Sequence, residues 1–167
     1  VVGVVTSVDK PAGRGKQLRQ SAVKEYAAAE KLTLLQPENL KDPVFTKELE
    51  VLNADVFIVV AFRMLPKTVW SIPPKGTFNL HASLLPNYRG AAPINWAIIN
   101  NETTTGATTF YIDDKIDTGA ILLKEELVIQ PNETVGSLHD KLAPLGANLI
   151  LKTLDYIATN PTPKPQL

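Results

Sequence analysis

FNLHASLLPNYRGAAPINWAI, Phe78 to Ile98, is the stretch that decides how this chain folds. Phe78 to His81 closes an apolar run read as a buried strand, and it carries an amide, Asn79, two residues before an imidazole, His81. Side chains at i and i+2 of a strand share a face, so Asn79 and His81 project together. Ser83 to Gly90 follows, a turn-rich segment with Pro86 and Gly90 that cannot continue the strand. A polar pair at the carboxyl end of a strand, followed by a stiff loop, is where open α/β sheets place their chemistry.

Working outward, Pro93 opens a helix with apolar positions Ile94, Ala97 and Ile98. Gly106 to Ile112 and Ile121 to Ile129 alternate and are rich in strand-forming residues, with the acidic loop Asp113 to Gly119 between them. Asn132 to Val135 starts a last helix that reaches Ala158. Upstream, Asp55 to Ala61 is apolar on both faces, as a central parallel strand requires. Phe62 to Pro66 ends it, a short helix covers Lys67 to Trp70, and Pro73 to Gly76 turns into the Asn79 strand. Val1 to Thr6 reads as a buried strand and Ser7 to Arg19 as a loop. Ser21 to Lys31 reads as a helix, and Leu32 to Leu35 as a short strand. Asp42-Pro43 is a cap with proline at the first helical position, opening a helix to Leu52. Strand–helix alternation with an antiparallel tail predicts an α/β fold, a doubly wound and mostly parallel sheet with a mixed edge.

The totals agree with this and narrow the function. A chain of 167 residues is one domain by size, and 44% hydrophobic with 20% charged residues is an ordinary globular balance. Without cysteine there is neither a disulfide framework nor a thiolate metal site. No apolar run approaches the ~20 residues that span a bilayer. The formal net charge is zero, so the chain lacks the overall basic charge of a nucleic-acid binder, and any RNA partner must meet a local patch. Such a patch exists in Lys10 to Arg19, where Lys10, Arg14, Lys16 and Arg19 sit around the glycines of Pro11-Ala12-Gly13-Arg14-Gly15-Lys16. It is not a P-loop, because the spacing is wrong. The chain opens without methionine inside an apolar run and stops in a proline-rich stretch, so both ends read as cut.

Asn79-Leu80-His81-Ala82-Ser83-Leu84-Leu85-Pro86, then Tyr88-Arg89-Gly90-Ala91-Ala92-Pro93, resembles the signature of the folate-dependent formyltransferases. The likeness extends over nearly the whole chain. It implies a Rossmann-like formyltransferase fold, with residues 1–159 as the catalytic domain and residues 160–167 as the start of a linker. In that family one more strand and helix precede the point where this chain begins, and a C-terminal β-barrel domain follows the linker. The PAGRGK segment is similar to that of the members acting on initiator methionyl-tRNA, where it enters the acceptor arm. That resemblance assigns tRNA contacts to Arg14, Lys16 and Lys10.

Formyl transfer needs little chemistry. An amine attacks the formyl carbonyl, and fixed donors stabilise the resulting oxyanion, commonly by a few kcal/mol each. An amide NH₂ and an imidazole N–H are suitable donors. A nearby carboxylate favours the imidazolium form, orients the ring and can take the proton the amine loses. A lone histidine is more often structural, but His81 has Asn79 beside it, a stiff turn after it and a carboxylate candidate in the acidic loop. The resemblance carries the family's catalytic Asn, His and Asp onto Asn79, His81 and Asp117, the last through Ile116-Asp117-Thr118-Gly119. Asp113 and Asp114 compete for that role and are read as shaping the loop. The resemblance further implies 10-formyltetrahydrofolate as the donor, its pterin held by Phe62, Arg63, Met64, Leu65, Asp113 and Asp114, with Ser83, Leu84, Leu85 and Pro86. It implies no metal, a monomer, no membrane, and a bacterial cytoplasm or an organelle matrix.

Other readings are weaker. Ser83 near His81 lacks the G-x-S-x-G elbow of a serine hydrolase. The two histidines, His81 and His139, show no ligand spacing, and His139 reads as a solvated surface residue. A formyltransferase for a purine precursor or an amino sugar nucleotide, a 10-formyltetrahydrofolate hydrolase, and an RNA-binding module using the basic loop alone remain as alternatives.

Overall fold

The computed structural model describes residues 1–12 and 17–166. They form two compact units, one made of residues 1–55 and 64–74, the other of residues 56–63 and 75–167.

The first unit contains β1 (Val4–Val5), β2 (Lys10–Ala12), β3 (Gln17–Arg19), α1 (Ala22–Ala29), β4 (Leu34–Leu35), α2 (Pro43–Val51) and α3 (Lys67–Trp70). β1 and β4 pair in parallel, with Val4 opposite Leu34. Pairing starts at Val4 N, which donates to Thr33 O at 2.8 Å. Val1 and Val2 are therefore outside the ladder and exposed, which corrects the reading of a buried strand from residue 1. The basic segment is an antiparallel hairpin rather than an open loop: β2 pairs with β3, Lys10 opposite Arg19. Arg14 and Lys16 lie outside the described residues. The Asp42-Pro43 cap is as expected, Asp42 Oδ1 accepting from Val44 N with Pro43 at the first helical position, and Ser21 caps α1, its Oγ accepting from Lys24 N. Phe45 and Leu49 of α2 and Val69 of α3 are buried.

An ion pair fixes the approach to the hairpin. Asp9 accepts from Lys24 Nζ at 2.6 Å and from Gln36 Nε2 at 3.1 Å, and Gln36 Nε2 also donates to Ser7 O. The lysine contact first, then the glutamine contact, holds the Asp9 carboxyl below its ordinary value of 3.8. Glu133, at the start of the last helix, is likewise held below 4.5, first by Lys141 and then by Ser137. A carboxyl whose folded value is depressed stabilises the fold above its unfolded value, and that contribution disappears as the pH falls through the folded value. Denaturant midpoints should therefore be flat from pH 7 to about 5 and fall below about pH 4. Asp9→Asn and Glu133→Gln should each remove part of that acid limb.

The second unit contains β5 (Phe57–Val60), β6 (Thr77–His81), α4 (Pro93–Ile99), β7 (Thr104–Tyr111), β8 (Ile121–Val128) and α5 (Val135–Ala158). Its sheet has the order β5-β6-β7-β8, parallel between β5 and β6 and antiparallel after that. The fold is α/β with mixed sheets, as the alternation of elements predicts. β5 departs from the expectation of a strand buried on both faces. Among the described residues it pairs only with β6, and Ile58 and Val60 are 41% and 52% exposed. An apolar run does not reveal whether both of its faces find a cover.

α5 is amphipathic, with Leu138, Leu142, Gly146, Leu149, Thr153 and Ile157 buried at spacings of three and four residues. Leu138 and Leu142 pack with Ala97 and Ile129, and Ile157 packs with Phe78 and Leu122. A Cβ at Gly146 would lie 2.7 Å from Leu80 Cδ2, so glycine lets the helix approach β6 closely. Thr153 Oγ1 donates to Leu149 O at 2.7 Å and pairs with Thr109 Oγ1 at 2.8 Å, tying helix to sheet through a satisfied buried contact. No described helix is long and apolar enough to cross a membrane.

Candidate active site

β6 delivers the site. Asn79 lies between Val59 and Phe110 in register, and His81, the last residue of the strand, lies opposite Thr108. Asn79 Oδ1 is buried without a hydrogen-bond partner. Such an atom costs about 1–3 kcal/mol in a core that has no use for it, so an amide left in this state marks a binding position better than a packing one.

His81 is 7% exposed, and its ring meets the edge of Phe110 at 6.5 Å and 84°. Nε2 lies 2.8 Å from Tyr88 O. A carbonyl oxygen only accepts, so Nε2 carries a proton and donates it there. That bond fixes the ring, and Nδ1 is left facing Asp117 Oδ2 at 3.7 Å. This separation suits an ion pair when Nδ1 is also protonated, and it is too long for a direct hydrogen bond. Nδ1 is therefore the ring atom free to meet a substrate.

Two loops hold the arrangement. In the loop after β6, Tyr88, Gly90 and Ala92 all have positive φ, at 58°, 88° and 55°. Non-glycine residues held there cost of order 1 kcal/mol each, and such strain is concentrated at functional sites. Tyr88 is anchored at its hydroxyl, which donates to Glu102 and accepts from Asn100 Nδ2 at 3.0 Å. The Glu102 carboxylate raises the Tyr88 phenol above its ordinary value. In the loop between β7 and β8, Asp117 has φ 52°, and its Oδ2 accepts from Gly90 N at 2.7 Å. That bond joins the loop carrying the acid to the loop holding the imidazole.

Thr108, fully buried on β7, supports the first loop from below. Its Oγ1 donates to Ser83 O at 2.7 Å and accepts from Leu85 N at 3.1 Å. Thr108→Val keeps the shape and orphans both groups, so it should cost about 2 kcal/mol in a denaturant melt and lower the activity of the remaining folded protein.

The other expected residues fall in different places. Ser83 and Leu85 are fully buried, and Ser83 Oγ donates to Asn87 O at 2.6 Å, so these side chains serve the loop. Leu85–Pro86 is cis, and Lys124 Nζ donates to Leu85 O. The Leu84 side chain lies over Gly106. Asp113 accepts from Lys115 N and from Thr118 Oγ1, which organises the acidic loop as expected, and Asp114 beside it is exposed. Phe62 and Arg63 follow β5 in the second unit, with the guanidinium 5.3 Å from the ring centroid. Met64 and Leu65 belong to the first unit, and Met64 is exposed. His139 is exposed beside Asp140. Among the described residues no cluster of His, Asp and Glu is suited to a metal. Tyr88, Asn100, Glu102 and Thr108 were not singled out from sequence. Tyr88 lies in the diagnostic motif, but nothing there signals that its carbonyl is the working atom.

A ring nitrogen and a carboxylate thus lie 3.7 Å apart at the end of the strand that carries Asn79. Residues 1–154 match the family model described as formyl transferase. A curated relative, methionyl-tRNA formyltransferase of Flavobacterium psychrophilum, is 67% identical over 158 residues, covering 95% of this chain and 50% of the relative. The chain spans about half the length of the curated relatives it matches. Among solved structures, phosphoribosylglycinamide formyltransferase from Bacillus halodurans superposes with a TM-score of 0.78 at 23% identity, over 92% of this chain and 78% of that one. A formyltransferase from Anoxybacillus kamchatkensis, solved with a formamido-sugar nucleotide and tetrahydrofolate, superposes with a TM-score of 0.66 at 21% identity, over 89% of this chain and 78% of that one. Both structural likenesses establish the fold.

Proposed function

The chain belongs to the formyl transferase family, and on that footing we propose that it is the catalytic part of an enzyme that formylates the α-amine of initiator methionyl-tRNA from 10-formyltetrahydrofolate. The 67% identity to a relative named for that acceptor supports tRNA over a small amine. The observation that carries the reading is the His81 ring, held at Nε2 by Tyr88 O and presenting Nδ1 beside Asp117.

The donor supplies an activated formyl group. Asn79 and His81 Nδ1 provide hydrogen bonds to the formyl oxygen as negative charge gathers there. Asp117, 3.7 Å from Nδ1, orients the ring by its charge and takes up the proton that the amine sheds as its new bond to carbon forms. The departing N10 gains a proton, so the overall transfer is neutral. The buried, unpartnered Asn79 Oδ1 and the polar ends of the two loops are compatible with a folate held, within the second unit, by Phe62, Arg63, Asp113, Asp114 and the segment Ser83 to Pro86. Arg14, Lys16 and Lys10 would contact the acceptor arm, positioning the RNA through phosphate and ribose. We assign residues 1–159 to the catalytic domain, with the end of the segment 160–167 returning to its sheet at Lys164, and propose a monomer in a bacterial cytoplasm or an organelle matrix.

The full-length protein, supplied with 10-formyltetrahydrofolate and initiator methionyl-tRNA, should give formylmethionyl-tRNA. Arg14→Ala should lower kcat/KM for the tRNA about 10- to 100-fold by removing a charge-assisted contact, and leave formylation of a small amine unchanged. Formylation of a small amine without formylation of the tRNA would sink the tRNA assignment.

A further inference from the structure

We propose that Gln166 is a positioning residue of the active site: its amide ties the loop after β6 to the loop between β7 and β8. The kinetic consequence rests on the formyl-transfer reading, whereas the structural consequence does not. After α5 the chain returns to the sheet. Lys164 forms an antiparallel bridge with Ile121, with Ile121 N donating to Lys164 O at 2.8 Å and Lys164 N donating to Ile121 O at 3.2 Å. This brings Gln166 between the two site loops. Its Oε1 accepts from Arg89 Nε at 3.2 Å and Nη2 at 2.9 Å, and its Nε2 donates to Gly119 O at 2.7 Å.

Arg89 is next to Gly90, whose N–H is bonded to Asp117, and Gly119 is two residues beyond Asp117. The contacts therefore close a ring: Arg89 to Gln166, Gln166 to Gly119, along the chain to Asp117, and back through Gly90. One tie between two loops acts as a hinge, whereas two ties fix their separation. With His81 held by Tyr88 of the first loop, that separation sets the distance from Nδ1 to Asp117. The task needs an acceptor for a guanidinium and a donor for a carbonyl on one short side chain, which among residues of this length only glutamine provides. A segment that reads as linker in the sequence is thereby part of the scaffold of the site.

The test uses amide hydrogen exchange and kinetics on the full-length protein. In Gln166→Ala, exchange at Gly90 N–H should rise on the order of 10-fold, with Phe110 N–H in β7 unchanged. The kcat should fall on the order of 10-fold, with KM for the amine acceptor unchanged. Gln166→Glu keeps an acceptor for Arg89 but loses the donor to Gly119 O, so it should resemble the alanine variant. Wild-type exchange at Gly90 in Gln166→Ala, or wild-type exchange and kcat in Gln166→Glu, would overturn the proposal. If the wild-type protein transfers no formyl group, the functional reading fails, and exchange at Gly90 alone still decides whether the tie exists.

Discussion

His81→Ala should lower kcat for formyl transfer by about 10²- to 10³-fold in the folded enzyme, the range for removal of one preorganised donor. The variant loses the Nδ1 donor and also leaves Tyr88 O without the Nε2 proton at 2.8 Å. It should therefore lose about 1–3 kcal/mol of stability as well, and activity must be normalised to folded protein. The loop should keep its path, because Tyr88 remains anchored by Glu102 and Asn100. Asn79→Leu provides the contrast. It replaces a half-buried amide, whose buried Oδ1 has no partner, by an apolar group of similar shape, so stability should hold or rise by about 1 kcal/mol while activity collapses. Urea melts read beside initial rates separate the two. A His81→Ala enzyme within about threefold of wild type in kcat would remove the imidazole from the chemistry.

Gly119→Ala should be the most damaging single methyl added to the second unit. A Cβ there would lie 1.6 Å from Tyr111 O and 2.8 Å from Tyr111 C. Backbone φ is not the obstacle, since Gly119 is absent from the positive-φ residues; the obstacle is space. The clash falls on a backbone that is itself committed, because Tyr111 N donates to Ala120 O at 2.9 Å. Relief requires the loop to move away from β7, carrying Asp117 from His81. The expected loss is about 3 kcal/mol or more in a denaturant melt, at or beyond the upper end for overpacking, with kcat reduced in whatever folds. Gly90→Ala is the milder comparison: nothing lies within 4 Å of its Cβ, and only the φ of 88° is penalised, by about 1 kcal/mol. Equal stability of the two variants would mean that the β7–β8 loop yields freely and does not hold Asp117 in place.

Much of this molecule is legible without coordinates. Period and capping chemistry locate the helices to within a residue or two, because Ser21, Asp42-Pro43 and Thr134 use local contacts that depend on nearby chain only. The two-residue spacing of Asn79 and His81 is likewise a local consequence of the pleat. Pairing is less legible. The basic loop folds as a hairpin and β5 has one exposed face, since those outcomes depend on which distant strand is present on each side.

The sequence alone determined that an amide and an imidazole leave the same face of one strand before a stiff turn, that an acidic loop follows later in the chain, and that cations cluster near the start. Tertiary structure alone decided which atoms work. Tyr88 O takes Nε2 and leaves Nδ1 for Asp117, Thr108 carries the loop backbone, and Gln166 joins Arg89 to Gly119. The physical reason is that these contacts close over separations of 7 to 77 residues, and several of them end on backbone groups, which every residue has and no motif distinguishes.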